Sequence, residues 1–315
     1  MRKPIHVRIF LDTSHAVDPK TRLVAGEPGL SKEVKMSEIN RPGLALAGFY
    51  NFFAYDRVQI FGLGESAYMK LLSYEQREAM YKEFFSYDIL CCIFTHNEMP
   101  DDLFCRMADE KGVPVLVTER GTTNFVSLLS HLLYDLLAPI KTVHATLVDV
   151  YGIGVMLMGK SGIGKSECAL ELLERGHKLV GDDMIEIKKV DDVLLIGNCI
   201  DTLKHYMEIR GLGIINVRDI FGIRSVSERK RIELVALLEE WDEKKEYDRL
   251  GLDEKIYTIL DIKLPIITVP VKPGRNVPVI IETAALNHHL KKLGVHSAWQ
   301  LDDSLKKIME RKNNA

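Results

Sequence analysis

Residues 159–167 read GKSGIGKSE, and this stretch decides the fold of the second half of the chain. It matches the pattern G-x-x-x-x-G-K-[S/T], in which a glycine-rich loop wraps around phosphate groups. The glycines allow several backbone N–H groups to face one anion, and a following helix adds its positive N-terminal end. The motif therefore predicts a phosphate-binding loop, or P-loop, between a strand and a helix.

The sequence on either side of the loop has the context that such a loop requires. Residues 153–158 are a short apolar run typical of a strand, and residues 167–175 carry apolar side chains at helical spacing before Gly176. We expect the loop to bind ATP, with Lys165 reaching the β- and γ-phosphates and the Ser166 hydroxyl ligating Mg²⁺. The predicted nucleotide-binding residues are Gly159, Lys160, Ser161, Gly162, Ile163, Gly164, Lys165 and Ser166.

The composition excludes several classes of protein. The 315 residues are 46% hydrophobic and 28% charged, with a net charge of −3, so no basic field indicates nucleic-acid binding. No apolar stretch approaches the ~20 residues that span a bilayer, and no signal-peptide core follows Met1. The five cysteines have no C-x-x-C spacing that would indicate a zinc site. We expect a cytoplasmic protein that binds neither nucleic acid nor membrane.

The first half of the chain alternates strand-like and helix-like segments, which predicts an α/β domain with a mostly parallel sheet. Proline disfavours a helical residue before it, so Ala138-Pro139 marks a domain boundary. The domains are then residues 1–138, with a regulatory or assembly role, and residues 139–315, with the P-loop. The predicted strands are 5–10, 58–61, 89–94 and 113–117, and the predicted helices are 74–85, 101–111 and 123–137.

The second half predicts a mixed sheet rather than a strictly doubly wound one, because a hairpin is expected after Asp183. Its strands are predicted at 144–150, 153–158, 184–190, 193–199 and 256–262, followed by a proline-rich segment at 264–278. Helices are predicted at 228–240, which is charged and amphipathic, and near 282–292 and 299–311.

A P-loop enzyme also needs acidic residues for its metal and for the attacking group. Asp182 and Asp183 end the predicted return strand, so one carboxylate could lie near the metal while the other accepts a proton from a hydroxyl. A plain turn before the next strand would explain the pair equally. Glu208 is a weaker candidate for a metal ligand, since a glutamate beside glycines is usually a solvated loop residue.

Four further side chains are candidates whose spacing alone does not decide their role. His144 begins a strand and could be structural, and Arg249 could form an ordinary surface ion pair of little value. Lys272 and Arg275 lie on a stiff proline-containing loop that could meet an anion.

Six motifs in order resemble those of the HPr kinase/phosphorylase family, and they extend over about 130 residues. They are HATLVDVYG from His144, GKSGIGKSE, RGHKLVGDD ending at Asp183, MEIRGLGIIN from Met207, DRLG around Arg249 and PVKPGR from Pro270. The resemblance implies a bifunctional enzyme that phosphorylates a regulatory serine of the sugar-transport phosphocarrier HPr and reverses that step with inorganic phosphate, which yields pyrophosphate.

The resemblance also assigns roles by position. It implies that Asp183 is the general base in phosphorylation and the general acid in the reverse reaction. His144, Lys165 and Arg249 match other catalytic positions, and Ser166 and Glu208 match metal positions. The family often has aspartate where this chain has Lys160, so nucleotide affinity or regulation by anions is expected to differ.

Assembly and regulation follow only from the resemblance. It implies a homohexamer, fructose 1,6-bisphosphate as a possible effector, and a catalytic domain related to phosphoenolpyruvate carboxykinase. Two other functions stay open from the residues alone. They are a P-loop phosphotransferase for a small molecule and a nucleotide-dependent switch without catalysis, the latter disfavoured by the acidic residues near the loop.

Overall fold

A computed structural model of the chain describes residues 4–12, 18–190, 193–247, 255–301 and 306. The chain divides into two compact units, residues 1–137 and 138–315. Each unit has hydrophobic clusters of its own.

The first unit is built on a five-stranded sheet in the order β1-β5-β4-β3-β2. The neighbours from β2 to β5 pair in parallel, and only β1 is antiparallel, so the predicted mostly parallel sheet is confirmed. The strands are β1 (Arg22–Ala25), β2 (Ile39–Asn40), β3 (Val58–Phe61), β4 (Cys91–Phe94) and β5 (Val115–Val117). The helices are α1 (Gly43–Leu46), α2 (Leu63–Leu71), α3 (Tyr74–Phe84), α4 (Asp102–Lys111) and α5 (Thr122–Leu137).

Both faces of this sheet are covered, which is why β3 and β4 are buried along their whole length. On one face Phe61 stacks on Phe94 at a centroid distance of 4.3 Å, and Phe104 of α4 packs edge-on against both. On the other face Leu129 and other apolar residues of α5 pack against the strands.

The prediction of a strand at residues 5–10 is wrong, because Val7–Leu11 is a 3-10 helix. Residues three apart eclipse one another in a 3-10 helix, so Val7 and Phe10 bury the same side. The alternation of apolar and polar residues there satisfies this helix as well as a strand. A second 3-10 helix spans Glu27–Ser31.

In its described residues the second unit contains three sheets, in keeping with the predicted mixed architecture. A six-stranded sheet has the order β16-β17-β15-β8-β7-β9, a four-stranded sheet the order β14-β11-β10-β6, and β12 pairs with β13. The strands are β6 (Ile140–His144), β7 (Thr146–Val150), β8 (Ile153–Met158), β9 (Lys178–Gly181), β10 (Met184–Lys189), β11 (Leu195–Cys199), β12 (Tyr206–Ile209), β13 (Gly213–Asn216), β14 (Arg229–Arg231), β15 (Leu234–Glu240), β16 (Lys255–Ile259) and β17 (Ile262–Val271). The helices are α6 (Lys165–Glu174), α7 (Val217–Phe221) and α8 (Val277–Lys292), with 3-10 helices at Asp201–Leu203 and Ile223–Ser225.

The P-loop strand β8 lies in the interior of the six-stranded sheet. It pairs in parallel with β15 and antiparallel with β7, and β15 pairs in parallel with β17. The carboxyl ends of β8, β15 and β17 therefore lie on one edge of the sheet, where α6 begins. The predicted hairpin is confirmed by the antiparallel pairing of β10 with β11, while Asp191 and Asp192 at its tip lie outside the described residues.

The prediction of an amphipathic helix at residues 228–240 is wrong. The segment forms the edge strand β14 and the central strand β15. Residues 234–238 are a continuous apolar run, and a run buried on both faces of a sheet fits a central strand as well as one side of a helix.

Two other predicted segments have different boundaries. The strand predicted at 144–150 is two strands, because the chain leaves one sheet and enters the other at Ala145. The strand predicted at 256–262 ends at Ile259, and residues 264–271 of the proline-rich segment after it belong to β17. Leu260 and Asp261, both with positive φ, form the tight turn between β16 and β17. A helix is predicted at 299–311. Residues 297–301 and 306 are helical, and the other residues of the predicted helix lie outside the described part of the chain.

Candidate functional site

The loop between β8 and α6 has the geometry that the glycines of the motif predict. Gly159, Gly162 and Gly164 have φ values of 146°, 80° and 102°, which residues with a side chain rarely adopt. A Cβ on Gly159 would lie 2.4 Å from the carbonyl oxygen of Leu238, and one on Gly162 would lie 2.7 Å from Nη1 of Arg210. A side chain at Gly159 would collide with backbone, whereas at Gly162 the neighbouring guanidinium can move and the positive φ is what disfavours a side chain.

Lys165 is held inside this loop. Its side chain is buried, and Nζ donates to the carbonyl oxygens of Gly159 and Lys160, each at 3.3 Å. An ammonium group has three protons, so one proton is left for a phosphate oxygen when the loop accepts both of these bonds. The lysine is thus oriented before any ligand binds.

Asp183 lies at the tip of a tight turn between β9 and β10. The Met184 N–H donates to the carbonyl oxygen of Asp182 at 2.8 Å, which leaves Asp183 with a φ of 64°. This left-handed conformation is uncommon outside glycine, and conformations of this kind concentrate at functional sites. As a result the Asp183 side chain is 50% exposed, whereas Asp182 is only 3% exposed.

Asp182 faces inward beneath the P-loop helix. Its Oδ1 accepts from the Thr146 hydroxyl at 2.5 Å, while its Oδ2 is buried and has no partner in the described part of the chain. Burial raises the pKa of Asp182, while the hydrogen bond from Thr146 and the proximity of the Ser166 hydroxyl act in the opposite direction. The aspartate pair is therefore adjacent to the serine of the P-loop.

The structure brings His144 to Asp183. Nδ1 of His144 lies 2.7 Å from the carbonyl oxygen of Asp183 and 3.6 Å from its Oδ1. Because a carbonyl oxygen only accepts, this contact requires a proton on Nδ1 and leaves Nε2 for a second proton or another partner. The contact forms where β6 pairs with β10, and Ala145 donates its N–H to the same carbonyl oxygen.

Ser166 and Asp182 fit a Mg²⁺ ion, because Mg²⁺ prefers oxygen ligands and the Oδ2 atom of Asp182 is buried without a partner. The described residues contain no group of three or more His, Cys, Asp or Glu side chains that could hold a metal. Mg²⁺ in nucleotide sites usually takes one or two carboxylates and completes its coordination shell with phosphate and water. Glu208 is exposed on β12 opposite Ile214, and nothing in the described residues joins it to the aspartate pair as a third acid.

The remaining candidates have different outcomes. Arg249 lies outside the described residues. Lys272 and Arg275 follow β17 and lie over the ring of Trp241, with Nζ of Lys272 at 4.4 Å from the ring centroid and Cζ of Arg275 at 5.8 Å. Trp241 directly follows β15 and also stacks on Tyr247, so these cations lie at the same sheet edge as the P-loop.

Sequence reasoning did not single out Arg210 as a site residue. Its guanidinium lies against Gly162 in the P-loop, and it comes from the turn between β12 and β13. An arginine that contacts a phosphate-binding loop can neutralise charge on a bound phosphate. The arginine between Glu208 and two glycines was visible in the sequence, but its approach to the loop depends on the hairpin.

None of the helices in the described part of the chain combines the length and the apolar character that a bilayer crossing needs. The fold and the site define an α/β protein with a glycine-rich loop of the P-loop sequence pattern between β8 and α6, and with Asp182 close to the serine of that loop. The family profile described as HPr Serine kinase N terminus matches residues 11–133, and the one described as HPr Serine kinase C-terminal domain matches residues 135–305. The chain belongs to the HPr serine kinase family.

Curated relatives agree over nearly the whole chain. HPr kinase/phosphorylase of Leptospira biflexa is 48% identical over 93% of this chain and 92% of its own. The proteins of that name from Treponema pallidum and Bacillus cereus are each 46% identical over 92% of this chain, and the matches cover 91% and 94% of their lengths. A solved structure of the Hpr(Ser) kinase/phosphatase from Coxiella burnetii is 38% identical and covers 48% of this chain and 98% of its own, with a TM-score of 0.45.

Proposed function

We propose that this chain phosphorylates a serine of the phosphocarrier protein HPr with ATP and removes that phosphate by phosphorolysis. The observation that carries the proposal is the position of Asp183, half exposed on a strained turn beside a P-loop whose lysine is already oriented. Membership of the family, together with relatives named for HPr over nearly their whole length, supports HPr as the substrate.

In the forward direction the serine hydroxyl of HPr attacks the γ-phosphorus of ATP. The bond from the serine oxygen to phosphorus forms, the bond to the β,γ-bridging oxygen breaks, and ADP leaves. Asp183 accepts the hydroxyl proton, since a serine is a weak nucleophile until a carboxylate takes that proton. Lys165 and Arg210 neutralise charge on the phosphoryl group in transit, and His144 orients Asp183 through its turn.

In the reverse direction an oxygen of inorganic phosphate attacks the phosphorus of phosphoserine. A P–O–P bond forms, the bond to the serine oxygen breaks, and pyrophosphate leaves. Asp183 returns a proton to the serine oxygen, so the same residue is the base in one direction and the acid in the other. The P-loop that binds ATP also binds phosphate and pyrophosphate, and no separate nucleophile is required.

Mg²⁺ is proposed at Ser166 and Asp182. Glu208 would be a further ligand if the hairpin of β12 and β13 moves toward them. The ion would neutralise charge on the phosphate groups. We extend the proposal, on the resemblance alone, to Arg249 as a catalytic residue. The resemblance also supports a cytoplasmic homohexamer, fructose 1,6-bisphosphate as an effector, regulation or assembly through the first unit, and kinship with phosphoenolpyruvate carboxykinase.

The test uses the purified chain with Mg²⁺, ATP and HPr, followed by excess phosphate. We expect mass spectrometry to find one phosphorylated serine on HPr and the second step to release pyrophosphate. Asp183→Asn should reduce both rates by at least about 100-fold, the usual contribution of a general base, while binding of an ATP analogue persists. Asparagine tolerates positive φ, so the turn is retained.

Asp261→Asn is the matched control, since Asp261 is an exposed aspartate with the same φ of 64° in the turn that precedes β17. That turn lies at the opposite sheet edge from the P-loop, and both rates should stay unchanged. If Asp183→Asn keeps both activities, Asp183 is not the base. If HPr stays unmodified while a small metabolite is labelled, the chain is a small-molecule phosphotransferase instead.

A further inference from the structure

A polar residue stands in the apolar strand that lies beside the P-loop strand. Thr146 opens β7, which runs between β8 and β9 in the six-stranded sheet, and it is fully buried. Its strand neighbours Leu147, Val148 and Val150 are apolar and buried as well. A hydroxyl in such a position costs free energy unless it forms a hydrogen bond, so the partner of Thr146 indicates what the residue does.

That partner is Asp182, which directly follows β9. The Thr146 hydroxyl donates to Oδ1 of Asp182 at 2.5 Å, and Asp182 is itself buried. Rotation of a carboxylate about its last side-chain torsion has only broad energy wells, so a carboxylate without a partner has no fixed direction. A hydrogen bond to one oxygen therefore fixes where the other oxygen points.

The other oxygen of Asp182, Oδ2, is the unusual atom of this pair. It is buried and accepts no hydrogen bond in the described part of the chain. The Ser166 hydroxyl lies close to the same carboxylate, at the start of α6. An unpartnered oxygen in the interior is costly, and one beside the serine of a P-loop suits a cation that binds there.

The first unit contains the same pair of residue types without such an oxygen. Thr118 is fully buried there and donates to Oδ2 of Asp18, which is also buried. Oδ1 of Asp18 accepts from the Lys20 N–H at 3.1 Å and lies 3.8 Å from Nε of Arg120. Of these two buried aspartates, only Asp182 has a second oxygen left for a ligand among the residues that the structure describes.

Threonine has two properties that suit it to hold a metal ligand. Its branched Cβ restricts the side chain to few rotamers, so the hydroxyl has a fixed position on the strand. The hydroxyl is neutral, so the negative charge of the carboxylate stays available to a cation, whereas a lysine or arginine would neutralise it. Carboxylates that bind metals are generally held by hydrogen bonds of this kind.

We propose that Thr146 is a positioning residue for Mg²⁺ binding. Its hydroxyl holds Oδ1 of Asp182 so that Oδ2 faces an ion shared with the Ser166 hydroxyl. The inference rests on the proposed Mg²⁺ site and adds to it a residue that does not touch the ion. It does not depend on which molecule receives the phosphoryl group.

The test measures the affinity of a fluorescent, non-hydrolysable ATP analogue for the full chain, once with excess Mg²⁺ and once with EDTA. The ratio of the two dissociation constants reports the contribution of Mg²⁺ and requires no phosphoryl transfer. Thr146→Val removes the hydroxyl and keeps the shape of the side chain, while Thr146→Ser keeps a hydroxyl. Thr118→Val is the matched control, because it removes a buried threonine–aspartate hydrogen bond in the first unit.

We expect Mg²⁺ to tighten binding of the analogue to the wild type, to Thr146→Ser and to Thr118→Val by the same factor. In Thr146→Val that factor should be about tenfold smaller, while the affinity measured in EDTA stays unchanged. In a chain that already carries Asp182→Asn, Thr146→Val should have no further effect, since the hydroxyl acts through that carboxylate.

An unchanged Mg²⁺ factor in Thr146→Val would overturn the proposal, and so would a further loss in the chain with Asp182→Asn. A loss of affinity that is equal in Mg²⁺ and in EDTA would overturn it as well, because it would show that Thr146 only supports the fold. Wild-type binding that does not respond to Mg²⁺ would overturn the metal site and the role of Thr146 with it, whatever the activity toward HPr.

Discussion

Asp182 and Asp183 are neighbours in the chain with opposite surroundings. The turn at the end of β9 directs one carboxylate into the protein and the other toward solvent. Two adjacent acids in a sequence do not reveal such a division, because it depends on the positive φ of Asp183 and on Thr146 reaching Asp182 from β7. The division gives two identical side chains different chemistry.

The buried carboxylate should cost the protein stability. The pKa of Asp182 in the folded chain is raised above its ordinary value of 3.8, so ionisation is less favourable in the folded state than in the unfolded state. The cost is absent below the unfolded pKa and complete above the folded pKa. Asp182→Asn should therefore raise the free energy of unfolding at neutral pH, and the gain should shrink as the pH falls toward 3.8.

Urea denaturation of the wild type and Asp182→Asn at neutral and acidic pH measures this gain. Asp183→Asn is the control, and it should leave stability nearly unchanged because Asp183 is half exposed. Phosphorylation of HPr by Asp182→Asn should fall, since the proposed Mg²⁺ ligand is lost. A variant that is less stable than the wild type at neutral pH would contradict the assigned burial cost.

Helices and strands were predictable where the apolar pattern fits only one of the two structures. Where the pattern fits both a helix and a strand, the prediction could fail. The P-loop with β8 and α6 was found because glycine spacing, an apolar run and a helical pattern agree. The strand β15 was mistaken for a helix because Leu234 and its apolar neighbours satisfy either period, and only the strands on both sides decide between them. The turn at Leu260 was missed because leucine is not a usual residue at positive φ.

The residues of the candidate site also fall into two groups: those predicted from local sequence and those placed by contacts between distant segments. The P-loop motif predicted Lys165 and Ser166 directly, whereas the choice of Asp183 over Asp182 came from the family resemblance. His144 was a candidate from the sequence, but its position beside Asp183 depends on the pairing of β6 with β10, and the approach of Arg210 to the loop depends on the hairpin of β12 and β13. Contacts between distant segments are set by the sheets, which a single sequence does not specify.

A charged cluster joins the end of the P-loop helix to α8. Glu282 of α8 accepts from Arg175 at 2.6 Å and from His177 at 2.9 Å, and both donors directly follow α6. Arg175, with a further contribution from His177, lowers the pKa of Glu282 from 4.5 to about 2 despite its burial. The cluster therefore anchors the end of α6 that lies away from the phosphate loop.

Glu282→Gln should lower the free energy of unfolding by about 2 kcal/mol at neutral pH, because a neutral amide replaces the carboxylate that accepts from the buried His177 and the exposed Arg175. The depressed pKa means that this stabilisation is fully present above 4.5 and is lost as the pH falls toward about 2. Denaturation as a function of pH measures the effect, with Glu174→Gln on the exposed side of α6 as the control. Equal stability of the two variants would show that the cluster contributes nothing.

At the scale of the whole molecule, the two units have separate hydrophobic cores. We therefore expect them to unfold separately on heating and a nucleotide to stabilise only the unit that binds it. Domains with their own cores can unfold independently, and a ligand stabilises the unit that binds it. Scanning calorimetry should show two transitions. Mg²⁺ with an ATP analogue should raise the midpoint of one, and Lys165→Ala should abolish that shift without moving the other.

A truncated chain ending at residue 137 identifies which transition belongs to the first unit. A single transition that shifts as a whole with the ATP analogue would contradict independent unfolding. In that case the stability of the first unit would be linked to nucleotide binding.

The prolines of β17 should reduce pairing between the strands of different molecules at high protein concentration. In the described part of the chain, β16 pairs with β17 as far as Ile266, and β15 pairs with it from Ile266 onward. Among the described residues, Pro265 and Pro270 therefore each lie where the strand has one neighbour, which is where a sheet tolerates proline. Since proline offers no N–H to an incoming strand, each one removes a docking point for another chain, and replacing them is expected to promote aggregation without altering the phosphate site.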